Sequence, residues 1–305
     1  MTDTSSSGTG SRTRRLQASG LYRGLLRIYN ALYMDAVLGW RQVAGRPRFR
    51  HVNKFLFDLS VHGLGLCNYQ NDRVSGERVF VTKTLPTILS QLHRAPVLVD
   101  VGAHRGEYAA LFLSTFPNGR VLCVEPSLMR SREIEERFGG RVDVVNAAMS
   151  STEGTAVMYD KGGEENSQHA SLYKEVITDL WGMQAVSYEV SVVTLDSLAK
   201  STRLPRVDLL KIDTEGSEYD ILLGAQELIS TNRVGVVQIE FNEMNLVSRR
   251  FVRDFRAILP HHAPFRLLPH GLLEVPHSAL DSELFAFQNI VFLPSKDDFG
   301  SDAMF

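Results

Sequence analysis

Val97-Leu98-Val99-Asp100-Val101-Gly102-Ala103-His104-Arg105-Gly106-Glu107-Tyr108 is an apolar run that passes through a glycine-bearing turn into the apolar stretch 108–116. A short aliphatic run of this kind suits a strand buried on both faces, as in a parallel sheet. A strand that turns on glycine into a helix is the unit that sets a nucleoside-type ligand at the carboxyl ends of the strands of an open α/β sheet. The dinucleotide fingerprint needs glycines at alternate positions, so that backbone amides can approach a pyrophosphate. Here the spacing is Gly-x-x-x-Gly, from Gly102 to Gly106, with His at 104 and Glu at 107. A cofactor without phosphates suits this loop better. S-adenosylmethionine is such a molecule, and Asp100 at the strand end can act on its cationic methionine part, directly or through water. Gly102, Ala103 and Gly106 then give the backbone close approach. The competing reading is a tight turn with no ligand.

Further along, apolar runs alternate with helical stretches, the pattern of a sheet with helices on both faces. Candidate strands are 97–101, 120–124, 142–146, 207–212, 234–239 and 287–293, with two more at 154–159 and 188–193 as a hairpin-like or edge insertion. The insertion 160–185 is expected to cover the site as a lid. The second strand ends in Val124-Glu125-Pro126, and Glu125 follows Gly102 by 23 residues, near the offset of about 20 at which an acid accepts hydrogen bonds from ribose hydroxyls. Asn146 and Ala147, after the third strand, are candidates for the adenine edge.

Asp208-Leu209-Leu210-Lys211-Ile212-Asp213-Thr214-Glu215-Gly216-Ser217-Glu218 is the densest polar cluster of the chain. Acids at a helix N-terminus read most simply as capping. Capping leaves unexplained Lys211 and Asp213 on either side of Ile212, because alternate residues of a strand share a face. The fifth strand adds Glu240 and Asn242 along the same rim.

The chain has 305 residues, 44% hydrophobic and 22% charged, and a net charge of −2, so it can bury a large core and offers no electrostatic footprint for nucleic acid. Cys67 and Cys123 are the only cysteines; this spacing indicates neither a disulfide framework nor a zinc site and suggests the cytoplasm. Residues 1–20 read as a disordered tail, 21–85 as a helical extension or substrate cap, 86–296 as the catalytic domain and 297–305 as a C-terminal tail. The stretch 21–43 is basic and amphipathic, with Leu25, Ile28 and Leu32 among Arg23, Arg27 and Arg41. It either packs as a helix on the catalytic domain or makes peripheral contact with an anionic membrane or lipid-linked substrate.

From Pro96 to Pro294 the sequence resembles the FkbM family of methyltransferases. The blocks that carry the resemblance are residues 100–106, Val124-Glu125-Pro126, and 210–218 with Leu223-Gly224-Ala225; Thr194-Leu195-Asp196 and Phe287-Gln288-Asn289-Ile290 are lesser ones. The resemblance implies a Rossmann-like, doubly wound, mostly parallel seven-stranded sheet with an antiparallel last strand. It also implies S-adenosylmethionine as donor and O-methylation of a sugar, glycolipid or polyketide-type hydroxyl. Where the family commonly has Asn in the first loop, this chain has His104.

A hydroxyl acceptor has to lose its proton, so a base or a metal is expected. In one hypothesis Asp213 is the base or orienting group, assisted by Glu240, with His104 as second base. In the other, Asp213, Glu240 and Asn242 hold a Mg²⁺ that lowers the acceptor pKa. The rival classes are an NAD-dependent oxidoreductase and a non-catalytic scaffold on the same fold.

Overall fold

A computed structural model describes residues 20–161 and 170–295, which divide into a unit ending at Ser60 and a unit beginning at Val61. The tails read at 1–20 and 297–305, Gly20 aside, and the middle of the expected lid lie outside the described residues.

In the first unit the helix Gly20–Ala44 is followed by a 3₁₀ turn, Pro47–Phe49, and by the opening turns of the helix Arg50–Gly63. Asn53 clamps that corner. Its amide donates to the Ala44 carbonyl at 2.9 Å and its Oδ1 accepts from Trp40 Nε1 at 3.2 Å, satisfying a carbonyl that the helix end leaves without an internal partner.

In the second unit the strands are β1 Val97–Val101, β2 Arg120–Val124, β3 Asp143–Val145, β4 Ala148–Met149, β5 Gly154–Lys161, β6 Ala185–Val193, β7 Val207–Ile212, β8 Val234–Phe241, β9 His262–Leu268, β10 Gly271–Glu274 and β11 Gln288–Pro294. Eight of them form one sheet in the order β10-β9-β11-β8-β7-β1-β2-β3, while β4, β6 and β5 form a second. The strands from β3 through β8 in that order run parallel, and β11 enters antiparallel between β8 and β9. The expected sheet had seven strands. The additional edge comes from the hairpin β9–β10, hidden in the sequence by Pro264 and Pro269. The Pro264 carbonyl still accepts the Val275 amide at 3.0 Å just past the end of β10, and its missing N–H falls where the β9–β10 pairing stops at Phe265. The two extra strands read at 154–159 and 188–193 are β5 and β6, and they leave the main sheet altogether.

Alternation along the buried strands separates two apolar layers. Val97, Val99, Val101, Leu210, Ile212, Val237 and Ile239 meet the helices Leu195–Ser201, Glu218–Leu223 and Val252–Ile258. Leu98, Leu209, Val236 and Val291 face the opposite layer, formed by the helix Glu107–Thr115 and by Phe80, Val81, Leu85 and Ile88. The boundary read near residue 85 therefore differs from the observed division, since residues of the 77–88 helical stretch belong to the sheet's own core. At the strand entrances buried Asp208 accepts both Arg94 guanidinium nitrogens at 2.7 Å and the Val97 amide at 2.8 Å, tying β1 to β7 with a bidentate pair.

Gly102 closes the β1 turn at φ 76°, and a Cβ there would meet the Asp213 carbonyl oxygen at 1.8 Å. Gly140 shares the left-handed backbone, at φ 83°, but has open space around it. Gly140→Ala should cost only the conformational strain, about 1–2 kcal/mol. Gly102→Ala should cost well beyond that, about 3 kcal/mol or more, because backbone must move. Urea denaturation of both variants measures the difference.

Candidate functional site

A cleft of about 590 Å³, part of it open to solvent, lies at the carboxyl ends of β1, β2 and β7, with Met158 of β5 and Leu172 on its other side. Its wall carries Gly102, His104, Glu125, Pro126, Ala147, Asp213, Thr214 and Glu215. Six of the residues expected from sequence (Gly102, His104, Glu125, Pro126, Ala147 and Asp213) thus come together. Asp100, Ala103, Gly106, Asn146, Glu240 and Asn242 are not on that wall.

The β1 turn is held to β2 through backbone and one carboxylate. The Gly102 amide donates to the Val124 carbonyl at 3.0 Å, and buried Glu125 accepts the His104 amide at 2.8 Å and the Ser127 amide at 2.9 Å. Burial raises the Glu125 carboxyl, and these two amides pull it back. Each oxygen keeps a lone pair for a ligand. His104 has φ 51°, a left-handed conformation that Asn, Asp and His adopt more readily than most residues. Its ring, with Nδ1 3.8 Å from Glu107 Oε2, draws the Glu107 carboxyl down to about 2.

Residues off the wall have structural partners. Gly106 backs onto helix Leu128–Phe138, where a Cβ would come within 2.7 Å of the Phe138 ring. The Asn146 amide donates to the carbonyls of Glu125 and Pro126 at 3.0 and 2.9 Å. Its nitrogen therefore fixes the acid-bearing turn.

Beneath the wall lies a charged row. Asp100, Lys211 and Gln238 are cross-strand neighbours on β1, β7 and β8, and all three are buried. Lys211 Nζ is 3.0 Å from Asp213 Oδ2 and 3.7 Å from Asp100 Oδ1, and it sits 5.5 Å from the centre of the Tyr108 ring. Burial would strip this ammonium of its proton, but Asp213, Asp100 and Glu77 outweigh it and raise the pKa. Asp100 accepts no hydrogen bond of ordinary geometry at either oxygen, and burial pushes its carboxyl up to about 6 against the opposing pull of Lys211. Gln238 extends the row, accepting from Tyr108 Oη at 2.6 Å and donating to Glu77 Oε1 at 2.8 Å.

A second acidic group flanks Asp213. Burial first, and then the charges of Asp213 and Glu215, hold the Glu240 carboxyl well above its usual range. Glu240 Oε1 accepts Asn242 Nδ2 at 2.7 Å, and that nitrogen also reaches Glu215 Oε2 at 3.3 Å. Asn242 Oδ1 is taken by the Met244 amide at 2.9 Å. In this arrangement Asn242, expected as part of a metal set with Asp213 and Glu240, turns its donor toward the acids and gives its acceptor to the Met244 backbone. No group of three His, Cys, Asp or Glu among the described residues could hold a metal ion. The loop itself is shaped by buried Glu218, whose Oε1 accepts the amides of Thr214 and Gly216 and the Thr214 hydroxyl, each at 3.1 Å.

Sequence reasoning missed Glu77, Met149 and Met158, whereas Leu172 lies in the insertion expected to cover the site. The first three reach the site from outside its strand-end motifs, and no spacing links them to it. His262 opens β9, with Nε2 2.7 Å from the Gly235 carbonyl.

Lys211→Met removes the cation from among its acids and should destabilise the fold by about 3–5 kcal/mol. Adding Asp100→Asn should restore at least about 1 kcal/mol of that loss, because the two sites share one interaction. Denaturant unfolding of both variants and the double mutant closes the cycle.

Comparison with known proteins agrees with this geometry. The family described as Methyltransferase FkbM domain matches residues 100–266, more than half of the chain. The 2-O-methyltransferase NoeI of Sinorhizobium fredii is 25% identical over 189 residues, covering 58% of this chain and 76% of that protein. The methyltransferase sdnD of Sordaria araneosa is 26% identical over 166 residues, covering 46% of this chain and 64% of that protein. Among solved structures, an O-methyltransferase from Bacillus cereus superposes with a TM-score of 0.37 at 10% identity, covering 84% of this chain and 96% of that one. With its strand-end cleft and a match across β1 to β9, this chain belongs to the FkbM family of methyltransferases.

Proposed function

We propose that this methyltransferase takes its methyl group from S-adenosylmethionine and delivers it to a hydroxyl of a sugar, glycolipid or polyketide-type metabolite. The observation that carries the donor assignment is the charge of the cleft. Glu125, Asp213 and Glu215 line it, and no Lys or Arg is among the described lining residues. Three carboxylates repel the pyrophosphate of a nicotinamide dinucleotide and favour a cofactor that bears a sulfonium and an ammonium.

The residues fit that cofactor part by part. Glu125, fixed by two backbone amides, has lone pairs left for a ribose diol. Ala147, Met149, Met158 and Leu172 give an apolar slot for adenine. Asp213 and Glu215 supply negative charge for the methionine end. When bound, the cofactor supplies an electrophilic methyl carbon, so the protein's tasks are to align the acceptor oxygen and to accept its proton. Asp213 is suited to both. Lys211 holds Oδ2 at 3.0 Å, which fixes the carboxylate and leaves Oδ1 for an acceptor hydroxyl. Glu240 backs it as a second proton-holding group, and His104, on the same wall, is the alternative base. The oxygen acceptor finds support in NoeI, which is named a 2-O-methyltransferase.

Calorimetric titration with S-adenosylmethionine, and in parallel with NADH, tests the donor. S-adenosylmethionine should bind, NADH should not, and Glu125→Ala should abolish binding. With labelled cofactor and an extract of the native cells as acceptor source, Asp213→Asn should lower transfer by about 100-fold or more, and EDTA should leave it unchanged. A folded sample that binds no S-adenosylmethionine overturns the reading and favours the dehydrogenase or scaffold.

A further inference from the structure

We propose that residues 20–60 are an interfacial anchor that docks on an anionic lipid bilayer. The helix Gly20–Ala44 exposes Ile28, Tyr29, Leu32, Tyr33, Trp40 and Val43, which at 100° per residue fall within an arc of about 140°. Arg27 and Arg41 project from the other side of the helix by the same periodicity, together with exposed Met34 and Leu38. The helix Arg50–Gly63 repeats the pattern, with Val52, Phe55, Leu56 and Leu59 exposed at i, i+3, i+4 and i+7. Contiguous exposed apolar surface of this kind marks an interaction site.

Three observations favour a bilayer as occupant. No helix among the described residues is long and apolar enough to cross a membrane, so an apolar face of this type would lie along the interface. Tyr29, Tyr33 and Trp40 are the residue types that settle at headgroup level. Charge then separates a lipid surface from a second copy of the chain. Residues 20–60 carry seven Arg and Lys against two acids, Asp35 and Asp58, whereas residues 61–305 carry 23 Arg and Lys against 32 Asp and Glu. A second copy would bring together two units that each carry net positive charge, while anionic headgroups neutralise that charge.

Flotation of the full-length protein with phosphatidylcholine vesicles, with or without about 30% phosphatidylglycerol, tests the anchor without reference to the cofactor. The expected result is binding at least about tenfold tighter to the anionic vesicles, weakened as salt rises from about 0.1 to about 0.5 M. Leu32→Glu with Phe55→Glu, and separately Arg27→Glu with Arg41→Glu, should each lower that binding by about tenfold or more, with thermal unfolding of the catalytic unit unchanged. Equal affinity for both vesicle types overturns the proposal. So does a dimer in sedimentation equilibrium that Leu32→Glu with Phe55→Glu dissolves, which would make a second copy the occupant.

Discussion

Lys211 is an ammonium buried at the middle of a parallel sheet, and the geometry of the cleft depends on keeping it charged. A lone buried cation would lose its proton or unfold the strand that carries it. Here Asp100 on the neighbouring strand and Asp213 two residues along β7 compensate it, at 3.7 and 3.0 Å. Such a set gives little net stability against an apolar replacement, yet it fails badly when one member is lost. Its contribution is positional. The Asp213 amide donates to the Val101 carbonyl at 3.0 Å, and the Asp213 carbonyl passes so close to Gly102 that no side chain fits between them. The end of β7 and the turn after β1 therefore move as one piece, with the Asp213 carboxylate held at the wall.

The acids around that carboxylate are more numerous than one cation can balance. Asp213, Glu215 and Glu240 crowd the rim, and the Glu240 carboxyl is raised first by burial and then by its neighbouring carboxylates, which resist ionising together with it. Glu218 is kept apart from this rim by its own donors, Thr214 and Gly216, and serves the loop. The result is a rim with surplus negative charge and a proton that can be shared, in a cleft whose opposite end is anchored by Glu125.

The main strands were legible because parallel strands buried on both faces leave unbroken aliphatic runs, as in β1 and β7. Glu125 was legible through its offset from Gly102. The β9–β10 edge was not, since proline and histidine at 260–270 mimic a connection, and Pro264 is compatible with a strand because it stands at the end of the β9–β10 ladder. Within 21–85, read as a helical extension or substrate cap, the share taken by the sheet's own core was not legible, because Phe80, Val81 and Leu85 lie on a helical stretch with a π turn at Phe80–Thr84, which breaks the 3.6-residue period. Asn242 was expected in a metal set from its residue type and its place beside Glu240 on the rim. Its function in the network depends on which end of the amide faces the acids, a property that sequence does not encode.

His104 shows how a departure from a family pattern can leave a site intact. The position is constrained first through its backbone, where φ 51° lets the His104 amide reach Glu125 Oε2 at 2.8 Å. Asn and His both tolerate that conformation better than most residues, so an exchange between them preserves the link from the β1 turn to the acid of β2. The side chain is then free to differ. In this chain it brings an imidazole to the cleft wall beside Glu107, adding a titratable group where an amide would add none. The backbone constraint and the side-chain chemistry at this position therefore rest on different atoms of the same residue.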